Sequence, residues 1–195
     1  MDWLWKTGKE YTLNTYSAQY VLNTARSVVQ PYIPQEYEAT KVHTNVFVGN
    51  FGSASNLKML ELNKIKNIVV AAYGLFEMFP KKFNYKRVDV VDSEYDSLSP
   101  HFEEISKFIY EAAIIRRENV LIHCVAGVSR SAAIVIAYLI LQHGMTFDEA
   151  INQVKQWRPQ INPNDKFCRE LRALKSKDSL GTLEGISNND DFITL

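Results

Sequence analysis

The feature that most constrains this fold is the alternation of short apolar runs with segments of helical periodicity. The runs over 68–72 and 120–122 are wholly apolar, which is typical of strands buried on both faces of a parallel sheet. Further strands are predicted over 45–49 and 88–91. Helices are expected between and after these strands, since apolar residues recur there every three or four positions. The pattern predicts an α/β fold in which helices flank a central, twisted and largely parallel sheet.

Residues with known capping preferences mark several helix boundaries. Ser99 and Pro100 suit the first positions of a helix, and Thr146 with Glu149 forms a capping box. Gly144 suits the end of the helix that precedes this box. Besides the helix that begins near Ser99, helices are predicted over 16–32, 56–63, 131–143, 146–157 and 165–174.

Composition divides the 195 residues into one folded domain and two flanking segments. We expect a helical extension over 1–38 that packs on the domain, the domain itself over 39–176, and a flexible acidic tail over 177–195. The chain has 22 Lys and Arg against 22 Asp and Glu, but the residues from 178 onward hold four acids and no basic residue. The mildly basic remainder suits an anionic substrate and is too weakly charged to indicate nucleic-acid binding.

The termini and the cysteines bear on compartment and partners. The longest apolar run, 132–141, is shorter than the roughly 18 residues of a membrane span, and no secretory signal precedes it. Two cysteines are too few for a disulfide framework or a four-ligand zinc site. We expect a cytoplasmic monomer, with nuclear entry open, that needs no metal or other cofactor. For Trp3, Trp5 and Tyr11, packing on the domain is preferred over anchoring to a membrane or a partner.

The segment VLIHCVAGVSRSAA, residues 120–133, carries the chemistry. Cys124 follows a buried strand, and five small or uncharged residues separate it from Arg130, where a helix begins. Such residues let successive backbone N–H groups surround an anion, and the helix dipole favours the same charge. Arg130 adds a planar fork that matches two phosphate oxygens. We therefore predict a phosphate site whose members are Val125, Ala126, Gly127, Val128, Ser129 and Arg130.

Cys124 lies where a thiol readily loses its proton, at a helix N-terminus and beside a cation. A thiolate there would be a nucleophile that faces the bound phosphate. A buried cysteine is more often only a small apolar residue, but its grouping with His123 and Ser131 at a strand–helix junction favours catalysis. Cys168 lacks such surroundings and is expected to pack, although a redox role as partner of Cys124 stays open.

The run from His123 to Ser131 resembles the signature of the cysteine-dependent protein tyrosine phosphatase superfamily. Its Ala-Gly-Val-Ser-Arg-Ser portion is similar to the form found in the small, atypical dual-specificity branch. Asp92 stands 32 residues before the cysteine at the end of a predicted strand, where such phosphatases carry their general acid. The pair Arg158-Pro159, followed by the run PNDKF over 163–167, resembles the Pro-Asn-x-x-Phe element that ends the domain in the small members. The resemblance covers roughly residues 40–175.

This resemblance implies a metal-free hydrolysis of phosphomonoesters through a phosphocysteine intermediate on Cys124. It implies that Asp92 protonates the leaving oxygen and then activates water, and that the Ser131 hydroxyl helps the thiolate to leave. His123 would orient the loop and tune the cysteine through hydrogen bonds, and Asn164 would brace the loop from behind.

Two other aspartates lie near Asp92 and are candidates for the general acid. Strand alternation turns Asp89 toward solvent, whereas Asp96 lies in a loop and is a credible rival to Asp92.

Phosphoinositide-directed relatives tend to carry extra basic residues between the cysteine and the arginine of the loop, and this loop has no lysine there. The resemblance therefore implies phosphoproteins rather than inositol lipids as substrates. The resemblance implies phosphotyrosine and phosphoserine or phosphothreonine as targets. Two alternatives stay open: a phosphatase for lipid, glycan or nucleotide phosphates, and a non-catalytic scaffold that binds phosphoproteins.

Overall fold

A computed structural model of the chain describes residues 39–174, so the predicted helix over 16–32 and the acidic tail lie outside the described residues. A 3₁₀ turn, Ser99–His101, precedes the helix Phe102–Tyr110, and a π-helical turn, Glu111–Ile115, follows it. The elements in chain order are β1 Thr40–His43, β2 Val46–Gly49, α1 Phe51–Ser55, α2 Leu57–Leu62, β3 Ile65–Ala71, β4 Asn84–Val88, α3 Phe102–Tyr110, β5 Asn119–His123, α4 Arg130–His143, α5 Phe147–Trp157 and α6 Asp165–Arg172.

The five strands form one sheet in the order β1-β2-β5-β3-β4. Strands β2, β5, β3 and β4 are parallel, and β1 pairs antiparallel with β2 at one edge. Strand β5 is central and alternates its side chains between two apolar clusters. Val120 and Ile122 join the cluster that includes residues of helices α3–α6, and Leu121 joins the cluster with α2 residues. The predicted α/β class with a largely parallel, helix-flanked sheet is confirmed.

Helix α4 runs through the centre of the larger cluster. Every residue from 131 to 141 is buried, as expected of a helix that is apolar on all sides. It ends at Gly144, whose φ of 69° is left-handed, so the predicted glycine cap is confirmed. The Thr146–Glu149 capping box is also present at the start of α5.

Two local predictions are wrong. The strand predicted over 88–91 is β4, which spans Asn84–Val88 and leaves the sheet before Asp89. As an edge strand with half-exposed polar side chains, it lacks the apolar signal that identified the central strands. Ser99 is not a helix cap, because its side chain makes no capping bond and it lies inside the 3₁₀ turn. Carboxylate oxygens of the distant Glu170 accept from the Leu98 and Ser99 amides instead.

Candidate active site

The loop over 124–129 joins the end of β5 to the start of α4. Three of its carbonyl groups accept hydrogen bonds from residues outside the loop. The Val125 carbonyl accepts from the Phe51 amide at 3.0 Å, and the Val128 carbonyl accepts from the Asn162 amide at 2.9 Å. The Gly127 carbonyl accepts from Arg158 Nε at 3.0 Å.

A trans peptide unit directs its N–H opposite to its C=O. The three bound carbonyls therefore turn the amides of Ala126, Val128 and Ser129 toward the inside of the loop. Inward amides at a helix N-terminus form a concave site for an anion. The geometry thus agrees with the phosphate site predicted over 125–130.

Gly127 is required by this loop conformation. Its φ is +72°, a left-handed value that side-chain-bearing residues rarely adopt. A Cβ at this position would lie 2.7 Å from the Gly49 carbonyl oxygen and 2.8 Å from Arg158 Nη2. The end of β2 and the Arg158 guanidinium therefore pack directly against the back of the loop.

Cys124 lies at the base of the loop with 1% of its surface exposed. Its Sγ accepts a hydrogen bond from the Gly127 amide at 3.2 Å and lies 3.4 Å from Ser131 Oγ. Both groups are donors suited to a sulfur that carries negative charge. The predicted Cys124–Ser131 proximity is therefore present in the structure.

His123 is buried behind the cysteine. Its Nδ1 is 3.3 Å from the Cys124 carbonyl oxygen, which can only accept, so the Nδ1 carries the proton in this contact. Burial lowers the pKa of His123 to about 4, which keeps the imidazole neutral near pH 7. The side chain thus contacts the Cys124 carbonyl and is poorly suited to carry a second proton, and its role in orienting the loop and tuning the cysteine stays a prediction.

Arg130 closes the loop at the start of α4. Its side chain is 11% exposed, and Nη1 donates to the Val90 carbonyl at 3.3 Å. Its Nε is buried without a hydrogen-bond partner, although the nearest Asp92 oxygen is 3.6 Å away. Arg130 Nε thus forms an ion pair with Asp92 but no hydrogen bond, so its N–H is available to a closer oxygen of a bound oxyanion. The loop and Arg130 are therefore complementary to a bound oxyanion.

Asp92 lies at the rim of the loop. Its Oδ1 accepts from Ser129 Oγ and from Asn164 Nδ2, each at 2.8 Å. Asn164 also caps helix α6 through the Phe167 amide, so one side chain joins this helix to Asp92. The structure brings together at the loop Asp92, the predicted general acid, and Asn164, the residue predicted to support the loop.

The two other aspartates are engaged elsewhere. Asp89 is exposed and forms an ion pair with Arg87 at 2.7 Å. Asp96 accepts from the Val91 and Ser97 amides, at 2.7 and 2.8 Å, and these bonds lower its pKa. Both oxygens of Asp96 thus stabilise its own loop, which favours Asp92 as the acid at the site.

Cys168 differs from Cys124 in its surroundings. It is half-buried on α6, and its Sγ donates to the Pro163 carbonyl at 3.4 Å. Burial raises the pKa of the Cys168 thiol, which opposes thiolate formation there. The predicted packing role agrees with this geometry, and the redox partnership stays a prediction.

The sequence did not predict the role of Arg158 at this site. Arg158 is 2% exposed, and besides the Gly127 carbonyl it donates to Thr40 Oγ1 at 2.9 Å. A buried arginine is rare unless its donors are used, but its partners come from segments far apart in sequence. The residues next to Arg158 in the sequence therefore do not indicate that it contacts the loop.

Comparison with known proteins decides the family. The model of the family described as dual specificity phosphatase, catalytic domain, matches residues 46–177. The chain belongs to the dual-specificity phosphatase family. The predicted family is thereby confirmed, and the enzyme class expected from the sequence, a dual-specificity protein phosphatase, is the class of this family.

Similar curated proteins include dual-specificity and Slingshot phosphatases. Dual specificity protein phosphatase 1 of Arabidopsis thaliana is 36% identical over 157 residues, which cover 80% of this chain and 75% of that protein. Protein phosphatase Slingshot homolog 3 of Mus musculus is 38% identical over 141 residues. That match covers 72% of this chain but 22% of the mouse protein, so the chain spans about a fifth of this relative.

Solved structures with the same fold include the human tyrosine phosphatase-like serine/threonine/tyrosine-interacting protein. The TM-score is 0.68 at 28% identity, and the match covers 75% of this chain and 99% of that structure. Within residues 39–174, no helix is long and apolar enough to cross a membrane. The same residues contain no group of three or more His, Cys, Asp or Glu side chains that could hold a metal ion.

Proposed function

We propose that this dual-specificity phosphatase family member hydrolyses phosphotyrosine and phosphoserine or phosphothreonine in proteins through a phosphocysteine on Cys124. The observation that carries this proposal is the convergence of three groups on one centre. The Cys124 sulfur lies at the base of a loop whose amides turn inward, and Arg130 Nε, which forms no hydrogen bond, borders the same loop. A nucleophile and an oxyanion receptor therefore serve the same phosphorus atom.

In the first step, the Cys124 thiolate attacks phosphorus and the bond to the leaving oxygen breaks. The leaving oxygen takes a proton from the carboxyl group of Asp92, which becomes a carboxylate. The inward loop amides and Arg130 stabilise the charge on the three equatorial oxygens in the transition state. The contacts of Asp92 with Ser129 and Asn164 support this role, since they hold its carboxylate at the rim of the loop.

In the second step, the Asp92 carboxylate takes a proton from water, and the water oxygen attacks phosphorus. The phosphorus–sulfur bond breaks, inorganic phosphate forms, and Cys124 leaves as a thiolate. The Ser131 hydroxyl, 3.4 Å from the sulfur, can donate a hydrogen bond to the departing charge.

The decisive test is hydrolysis of an aryl phosphate in excess EDTA by wild type, Cys124→Ser and Cys168→Ser. We expect turnover in wild type and in Cys168→Ser, and loss of turnover in Cys124→Ser. Cys168→Ser is the matched control, because it removes the other cysteine of the chain. Activity that survives in Cys124→Ser would overturn the thiolate mechanism.

The same preparation distinguishes the alternative functions. A panel of phosphotyrosyl and phosphothreonyl peptides, inositol phosphates and nucleotides should show a preference for the peptides. Preference for a non-protein ester would overturn the substrate assignment but leave the mechanism intact. Folded wild type that binds phosphopeptide without turnover would instead establish a scaffold.

A further inference from the structure

We propose that helix α6 clamps the acid loop, residues 92–99, onto the active site, and that Glu170 is the main positioning residue of this clamp. The inference rests on the proposed function, because it concerns how the proposed general acid Asp92 is held. Its physical basis is a set of side chains on one helix that contact the loop near its start, in its middle and at its end.

Glu170 fixes the end of the acid loop. Its side chain is 8% exposed, and Oε2 accepts from the amides of Leu98 and Ser99 at 3.0 and 3.1 Å. Its Oε1 accepts from Ser97 Oγ at 2.6 Å and pairs with Lys166 Nζ at 3.0 Å. The carboxylate thus supplies from a distance the cap that the 3₁₀ turn lacks locally.

The surroundings of Glu170 favour its charged form. Burial by itself would raise its pKa, but the bonds from Ser97, Lys166 and the Leu98 amide outweigh burial and lower it. Glu170 is therefore a carboxylate at neutral pH. A charged acceptor holds backbone amides more strongly than a neutral one.

Three further hydrogen bonds hold the first half of the loop. Glu94 accepts from the Lys166 amide at 3.2 Å and from Arg169 Nη2 at 2.7 Å. Asn164 donates to Asp92 from the N-terminus of α6. The loop is thus bound by the same helix at Asp92, at Glu94 and at residues 97–99.

The geometry points to an acid that is held in place before substrate binds. Leaving-group protonation contributes about 10²–10⁴-fold, and a displacement of about 1 Å can cost about 10²-fold. A loosened clamp should therefore impair substrates that need the proton and spare those that do not.

The test compares Glu170→Ala, Glu170→Gln and Glu94→Gln with wild type on two substrates. One is an aryl phosphate whose leaving group departs without a proton, and the other is an alkyl phosphate whose leaving group needs one. For Glu170→Ala we expect kcat/KM to fall about tenfold or more on the alkyl ester and less than about twofold on the aryl ester. Glu170→Gln should lie between Glu170→Ala and wild type, since its amide oxygen still accepts hydrogen bonds.

A control variant, a second clamp variant and a double mutant separate positioning from general destabilisation. Asp148→Asn removes an exposed ion pair between Arg172 of α6 and the start of α5, away from the acid loop, and should leave the alkyl-to-aryl ratio unchanged. Glu94→Gln alters an exposed side chain, so it keeps the test valid should Glu170→Ala fail to fold. In an Asp92→Asn background, Glu170→Ala should cause no additional loss on the alkyl ester.

Amide hydrogen exchange tests the clamp without any catalysis. The Leu98 and Ser99 amides should exchange about tenfold faster or more in Glu170→Ala, because they lose their acceptor. Unchanged exchange would overturn the clamp, and faster exchange with an unchanged alkyl-to-aryl ratio would overturn the positioning role. Wild type that hydrolyses neither ester would contradict the proposed function, while the exchange result would still decide whether α6 holds the loop.

Discussion

Replacing Arg158 by methionine tests whether the loop over 124–129 depends on the hydrogen bond that Arg158 donates to its outer side. The guanidinium is buried and donates to the Gly127 carbonyl at 3.0 Å and to Thr40 Oγ1 at 2.9 Å. Hydrogen bonds from charged donors contribute about 1.5–3 kcal/mol each, and part of this is offset because the buried guanidinium loses water. We therefore expect Arg158→Met to lower the free energy of unfolding by about 3 kcal/mol.

Thermal unfolding and steady-state kinetics measure the two consequences. At about 2–4 °C per kcal/mol for a chain of this size, Tm should fall by about 6–12 °C. The Gly127 carbonyl would lose its outward anchor, so the Val128 amide would no longer be held inward. Loss of one oxyanion donor costs about 10²–10³ in kcat, and a partly displaced donor should cost about tenfold or more.

Arg158→Lys and Arg172→Met serve as controls for this prediction. Lysine keeps the charge but not the fork, so we expect losses in Tm and kcat smaller than those of methionine. Arg172 forms an exposed ion pair with Asp148 and its guanidinium lies 4.0 Å from the centre of the Phe147 ring, so its replacement should lower Tm by less than Arg158→Met does. If Arg158→Met keeps Tm within about 2 °C and kcat within about twofold of wild type, the claim that Arg158 stabilises the loop over 124–129 is refuted.

Three further predictions address the site. Gly127→Ala should lower Tm and kcat together, because left-handed backbone costs a non-glycine residue about 1–3 kcal/mol and the new Cβ would meet the Gly49 carbonyl at 2.7 Å. Asp92→Asn should slow alkyl phosphates by about 10²-fold or more while sparing good aryl leaving groups, and Asp89→Asn, an exposed aspartate outside the acid loop, should not change this ratio. The pKa of His123 is about 4 in the folded chain, against an ordinary value of 6.5. Between pH 4 and 6.5 the folded state therefore binds fewer protons at this residue than the unfolded state does. Stability must therefore fall as pH drops from 6.5 to 4, by about 3 kcal/mol for this residue, and denaturant titrations of His123→Gln should lack that part of the slope.

Each of these predictions has an outcome that contradicts it. A fully active Gly127→Ala enzyme would mean that the loop tolerates another backbone path. Equal slowing of aryl and alkyl esters by Asp92→Asn would remove this residue as the acid. If the free energy of unfolding depends on pH in the same way in wild type and in His123→Gln, then His123 has the same pKa in the folded and the unfolded state.

The sequence predicted those parts of the structure whose signal is local. Central strands β3 and β5 are apolar runs because both faces of the sheet are covered, and helix α4 is apolar because it is buried on all sides. The Thr146 capping box and the Gly144 terminus are local backbone requirements, so their residues identify them directly. Edge strands β1 and β4 carry weaker patterns, and the first was missed while the second was misplaced.

By itself, the sequence determined the reactive loop, since its cysteine, small residues and arginine are consecutive and their chemistry follows from their order. The spacing to Cys124 favoured Asp92 over Asp96, but only the tertiary structure places the Asp92 carboxylate at that loop and shows that Asp96 accepts from amides of its own loop. The tertiary structure also decided that Arg158 holds the loop from behind and that Glu170 caps a turn about 70 residues earlier. These contacts join segments far apart in the chain, and only packing brings such segments within hydrogen-bond distance.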